Sequence, residues 1–225
     1  MKGDASVPGA KICSYCGARP ATDKEHVFPR NLYPDSKATS RVQRLTIPAC
    51  SECNGSWSDD EVHFRNTLAL PEDPNASRKE LLDGPIRRSL CGQPDGVRRI
   101  RDLGERLRAV EVDGKQGYKI YPGEDARVVR VMKKIVRGLS HHHQIESAVP
   151  ESRVWADVQR YPIQEDFLSE MIYRQREADI AQYRYAVVGE YNIQSAWLVT
   201  FFEKLTFLGI VFVTADALDA AFPPV

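Results

Sequence analysis

Five cysteines are the residues best suited to chemistry: Cys13, Cys16, Cys50, Cys53 and Cys91. Four of them form two Cys-x-x-Cys pairs, Cys13/Cys16 and Cys50/Cys53, with 33 residues between the pairs. Each pair offers two thiolates from one tight turn, the arrangement that tetrahedral Zn²⁺ takes. Four thiolates fill the tetrahedron, so the expected role of the zinc is structural. Redox use of a pair is the alternative, but it does not require two pairs. Cys91 stands alone and is expected to be a half-buried small hydrophobe. A second group lies between the pairs, Asp23-Lys24-Glu25-His26-Val27-Phe28-Pro29, and Asn54 directly follows Cys53. A neutral imidazole can take a proton from water. A carboxylate and an amide oxygen suit Mg²⁺ or Mn²⁺.

The order of these parts, Cys-x-x-Cys, then acid-His-Val-x-Pro, then Cys-x-x-Cys-Asn, resembles the HNH (His-Me finger, ββα-metal) endonucleases of the four-cysteine zinc type. The resemblance covers about the first 65 residues. It implies that His26 acts as general base on the attacking water. It implies that Glu25, where many members carry Asp, and Asn54 hold a catalytic Mg²⁺ or Mn²⁺. His63 matches a position at which some members carry a further metal ligand or phosphate contact, with an exposed helix histidine as the plain alternative. Asp23 is an auxiliary ligand of the same kind or an ordinary loop acid. No residue between Pro29 and Pro48 stands out as the one that orients the base; Asn31 is the nearest guess.

Arg30, Arg41 and Arg44 would form a phosphate track, since Arg and Lys contacts to phosphate supply most non-specific nucleic-acid affinity. The expected activity is metal-dependent hydrolysis of phosphodiester bonds in nucleic acid, double-stranded DNA first and RNA as a rival. A homodimer is compatible with an enzyme that cuts both strands. The alternative is a zinc-stabilised module that binds nucleic acid or protein without catalysis. For an isolated Glu-His pair the ordinary reading is a solvated turn; only the flanking knuckles favour catalysis.

These groups need elements to position them. Ser58-Asp59-Asp60-Glu61 reads as a capping box, with Trp57 and Val62 as the hydrophobic staple, so the acids have a structural explanation. The turn Pro71-Glu72-Asp73-Pro74-Asn75 divides the chain into a nuclease module, 1–70, and an accessory domain, 71–225. A short helix capped by Ser77 is expected to end near Gly84-Pro85, followed by a helical piece Ile86 to Cys91. A loop runs from Gly92 to Gly96. Strand-like Leu107 to Val112 and Tyr118 to Tyr121 flank the turn Asp113-Gly114 as a hairpin.

From Glu124 to His143 runs an amphipathic helix. Val128, Val131, Ile135 and Leu139 form its apolar stripe, and Arg127, Arg130, Lys134 and Arg137 form a basic stripe expected to be solvated or to touch a duplex backbone. His141, His142 and His143 end it. Neighbours on a helix point about 100° apart, so they do not converge on one ion. Arg153 to Tyr161 alternates as a strand, and Glu165 to Tyr173 reads as a short helix. Tyr183 to Tyr191, Ala196 to Phe202 and Thr206 to Thr214 read as an antiparallel meander. The fold class is α+β: an N-terminal zinc-stabilised ββα-metal module, then an α+β domain with an antiparallel sheet and one long helix.

Composition sets the outer bounds. The chain has 225 residues, enough for one large or two small domains. Lys plus Arg and Asp plus Glu are equal at 31 each, which excludes a wholly basic nucleic-acid coat or an acidic tail. Any nucleic-acid contact must come from local clustering of charge. The N-terminal stretch has no apolar core, so it does not read as a signal peptide. The most apolar stretch, Ala196 to Thr214, is interrupted by Glu203 and Lys204 and reads as strands, not a membrane span. A cytoplasmic location without a membrane partner is expected.

Overall fold

The computed structural model describes residues 11–38, 40–71, 73–92, 94–112 and 114–223. The expectations resting on residues 1–10, Glu72, Gln93 and Asp113 therefore lie outside the described residues.

The first knuckle is a tight turn in which Gly17 donates to the Cys13 carbonyl and Cys13 to that of Arg19. Gly17 has φ +65°, the left-handed region that favours glycine. Strand β1 (Asp23–His26) then pairs antiparallel with β2 (Thr46–Ala49), with Asp23 opposite Ala49 and His26 opposite Thr46. The second knuckle opens α1 (Ser51–Gly55), and α2 (Ser58–Leu68) follows. Next come α3 (Ala76–Leu81), a wide π turn over Leu82–Ile86, α4 (Arg87–Cys91) and α5 (Gly96–Arg106). Strands β3 (Arg108–Val112) and β4 (Lys115–Ile120) form the expected hairpin.

Helix α6 (Ala126–His142) is the axis of the molecule. Asp125 caps it, its carboxylate accepting from the Arg127 and Val128 amides. After α6 come β5 (Val154–Val158), α7 (Glu165–Glu170), β6 (Ile172–Glu177), β7 (Ala181–Val187), β8 (Ile193–Phe201), β9 (Leu205–Phe212) and α8 (Ala215–Ala221). The five strands make one antiparallel sheet in the order β5-β9-β8-β7-β6. Along β7, Ala181, Tyr183 and Tyr185 are buried and alternate with partly exposed residues, the period of a sheet with one covered face. The protein is thus mixed α and β with antiparallel sheets and a cysteine cluster near its N-terminus. Among the described residues no helix is long and apolar enough to cross a membrane.

The β1–β2 hairpin and the five-stranded sheet lie against α6 and share one core. Val27, Phe64, Ile135 and Phe201 belong to the same buried cluster, and the Phe64 and Phe201 rings meet edge to face at 5.3 Å. Two glycines let the backbones approach. A Cβ on Gly138 of α6 would lie 3.1 Å from both Val27 methyls, and one on Gly209 of β9 would lie 2.5 Å from a Val136 methyl.

Several sequence expectations need correction. The capping box does not form: Ser58 is the first residue inside α2, no side chain caps that end, and Ser58 Oγ donates to the Gly55 carbonyl. Glu61 instead reaches across to α6. Asn75, not Ser77, caps α3, and the helical path continues through Gly84-Pro85 because the wide turn accommodates the proline. Ile172 and Tyr173 leave the expected helix after Glu165 and pair with β7, where β-branched and aromatic residues fit better. Cys91 is exposed. The basic stripe of α6 is solvated only in part: Lys134 and Arg137 are buried under neighbouring elements, whereas Arg127 and Arg130 stay partly exposed.

The close approach at Gly209 predicts that Gly209→Ala lowers stability by about 1–3 kcal/mol through overpacking against Val136. Gly104, inside α5, faces open space, so Gly104→Ala should raise stability by up to about 1 kcal/mol. Urea midpoints at unchanged m-value read both.

Candidate functional site

The four cysteines of the knuckles come together. Their sulfurs all lie within 4.8 Å of one another, although 33 residues separate the pairs. A tetrahedral zinc with Zn–S bonds of about 2.3 Å needs sulfurs about 3.8 Å apart, so the cluster fits a structural zinc. Its surroundings favour the thiolate at Cys16 and Cys50 and oppose it at Cys53. Against the effect of burial, the backbone N–H groups of Ala18 and Arg19 and the Arg19 guanidinium bring Cys16 down to about 6. Burial and the neighbouring sulfurs push Cys53 up to about 12, as crowded like charges do. Arg19 also pairs with Glu52 beside the cluster.

The knuckles hold the two strands of the hairpin, and the hairpin divides its acid from its base. Successive side chains on a strand face opposite ways. His26, at the end of β1, lines an open cleft of about 420 Å³ with Arg30, Lys37, Arg44 and Tyr33. The Arg44 guanidinium sits 4.2 Å from the centre of the Tyr33 ring and donates to the Lys37 carbonyl. Burial pushes the Tyr33 phenol up to about 12, so it stays protonated and can donate. Burial, then the charges of Arg44, Arg30 and Lys134, lower the His26 pKa below its usual value. The imidazole is therefore neutral at pH 7 and free to accept a proton. Arg41 is exposed in the same loop but does not line the cleft.

Glu25 points the other way. It is buried, and its carboxylate accepts a hydrogen bond from the Lys134 ammonium, as does that of Glu61. Lys134 has no solvent exposure at all, and its Nζ lies 5.3 Å from the centre of the Trp57 ring. Burial raises the Glu25 pKa and the Lys134 charge pulls it back. Asn54 is half-buried in α1, held by the turn in which its amide donates to the Cys50 carbonyl. The fit to a catalytic divalent ion at Glu25 and Asn54 is poor, because the Glu25 carboxylate already faces a buried cation.

His63 lines a different, smaller cleft. It is buried, neither solvated nor beside His26: its Nε2 lies 2.7 Å from the Tyr121 hydroxyl and 3.3 Å from Asp125. Tyr121 and Arg106 also bond Asp125, so this network fixes the N-terminus of α6 against α2. Asp23 is exposed at the start of β1. Asn31 lies in the turn after His26, with its side-chain oxygen buried and unpartnered among the described residues. The histidines ending α6 have separate partners: His141 meets the Ser147 carbonyl and His143 the Tyr183 hydroxyl.

The residues that sequence reasoning missed are Lys134, Glu61, Lys37 and Tyr33. Lys134 carried one usable signal: Gly138, one turn further along α6, marks a close approach on that side.

Zinc analysis should find one zinc per chain, lost in Cys50→Ser. Burial and the charge of His142 lower the pKa of His143 to about 4, against about 6.5 in an unfolded chain. The unfolded chain then binds this proton first, so the contribution is present above pH 6.5 and is lost as pH falls toward 4. Thermal melts should show that decline, and His143→Gln should flatten it.

No family model, curated protein or solved structure matches this chain, so its chemistry rests on these side chains alone.

Proposed function

We propose that the protein is an HNH-type endonuclease that hydrolyses phosphodiester bonds in nucleic acid, with double-stranded DNA as the first substrate. One observation carries the reading: a half-exposed imidazole shares an open cleft with Arg30, Lys37 and Arg44. A phosphodiester is an anion, and guanidinium and ammonium groups are its natural partners. His26 takes a proton from a water whose oxygen attacks phosphorus; the bond to the leaving oxygen breaks with its electron pair, and that oxygen takes a proton from solvent. The cationic walls stabilise the charge that gathers on the phosphoryl oxygens. The zinc cluster does no chemistry and holds β1 and β2, which carry the cleft. The hairpin followed by α1 and α2, with Asn54 after the last cysteine, agrees with the same family.

A second reading is favoured by the capture of Glu25 by Lys134: a zinc-stabilised module that binds nucleic acid without cutting it.

Nicking of supercoiled plasmid separates the two. His26→Ala should abolish nicking and leave the zinc content unchanged. Arg44→Ala should weaken binding across sequences and reduce the salt dependence by about one contact. Binding with no nicking by the wild-type protein in any buffer, with or without divalent metal, would establish the second reading.

A further inference from the structure

We infer that Lys134 is the resident cation of this site, its ammonium standing where a ββα-metal centre would take a divalent ion. The inference rests on the proposed nuclease reading for the identity of the site, but the occupancy it describes can be measured without any cleavage.

Three elements converge on the ammonium. Glu25 comes from β1, Glu61 from α2 and Lys134 from α6, and both carboxylates accept from the one Nζ. The strand acid is the residue for which the family resemblance reserves the metal. A lysine offers three donors in a compact, strongly charged head, and two of them are used here. The Nζ also faces the Trp57 ring, an apolar wall with a negative face that suits a cation.

The ammonium has nowhere else to go. Lys134 is fully buried, and α6 is held against the hairpin by the close packing of Gly138 on Val27. Next along the helix, Arg137 donates to the Tyr15 and Val149 carbonyls, which fixes the rotation of α6. A divalent ion entering between Glu25 and Glu61 would meet this ammonium at close range. Expelling the ammonium would leave a buried charge without a partner. Mg²⁺ and Mn²⁺ need several oxygens in open geometry, and here the carboxylates are turned inward on a lysine. The charge that stabilises a phosphate at His26 then comes from the cleft itself, from Arg30, Lys37 and Arg44.

The test titrates the zinc-loaded full chain with Mn²⁺ and counts bound ion by electron paramagnetic resonance. Wild type and Glu25→Gln should both bind no Mn²⁺ at millimolar concentration. Lys134→Met should gain one site with a dissociation constant at least tenfold below the highest Mn²⁺ concentration used, and Lys134→Met with Glu25→Gln should lose it. Lys134→Arg, which keeps a cation there, should gain none. The inference is overturned if wild type binds one Mn²⁺ that Glu25→Gln weakens tenfold or more. It is equally overturned if Lys134→Met, folded by circular dichroism and with full zinc, gains no site. If Lys134→Met does not fold, the comparison of wild type with Glu25→Gln decides alone. Plasmid nicking is read separately: absence of nicking under every condition removes the nuclease reading and leaves the Mn²⁺ result standing.

Discussion

One buried ammonium shared by two carboxylates ties the hairpin to the rest of the chain. Lys134 joins a strand, a helix and the central helix at a single point that water does not reach. Its desolvation is costly, and two charge-assisted hydrogen bonds offset that cost. Removing one partner from such a group typically costs about 3–5 kcal/mol, because the remaining charges stay buried. The same contact decides which way β1 faces. With Glu25 turned in, strand alternation turns His26 out into the cleft. The orientation of the His26 imidazole thus follows from an ion pair on the other side of the backbone.

The remaining supports act in series with this one. The cysteine cluster fixes the hairpin at its knuckle end. Arg137, bonded to the Tyr15 carbonyl, links α6 to one of the two residues between the first two cysteines. On the far side, Gly209 lets the five-stranded sheet approach α6 closely enough for Val136 to seat against it.

The sequence revealed the parts whose signal is local. The cysteine spacing announced a cluster of four sulfurs, alternation announced β5, and β-rich, aromatic-rich runs announced β7, β8 and β9. The hairpin around Gly114 announced itself by turn chemistry. Partnerships across long separations were hidden. Helical geometry gives the angle at which Lys134 leaves α6 but not what packs there, so a buried lysine read as a solvated one. His63 looked like an exposed or ligating residue because its partners, Tyr121 and Asp125, lie 58 and 62 residues away. The Glu61 carboxylate fitted a local capping pattern well enough to mask its distant role. In the candidate site, Arg30 and Arg44 were legible as basic residues near the histidine, whereas Lys37 and Tyr33 are brought in by the folding of the intervening loop.

The two knuckles close a long loop, and the cleft lies inside that loop. An ion binding there acts as a reversible cross-link, present only in the folded chain. Folding free energy then grows with the logarithm of free zinc above its dissociation constant. Protons compete for the same sulfurs, so acidity and chelators act in one direction. With an ion bound, the shape of the His26 cleft would follow metal supply, although no cysteine lines that cleft.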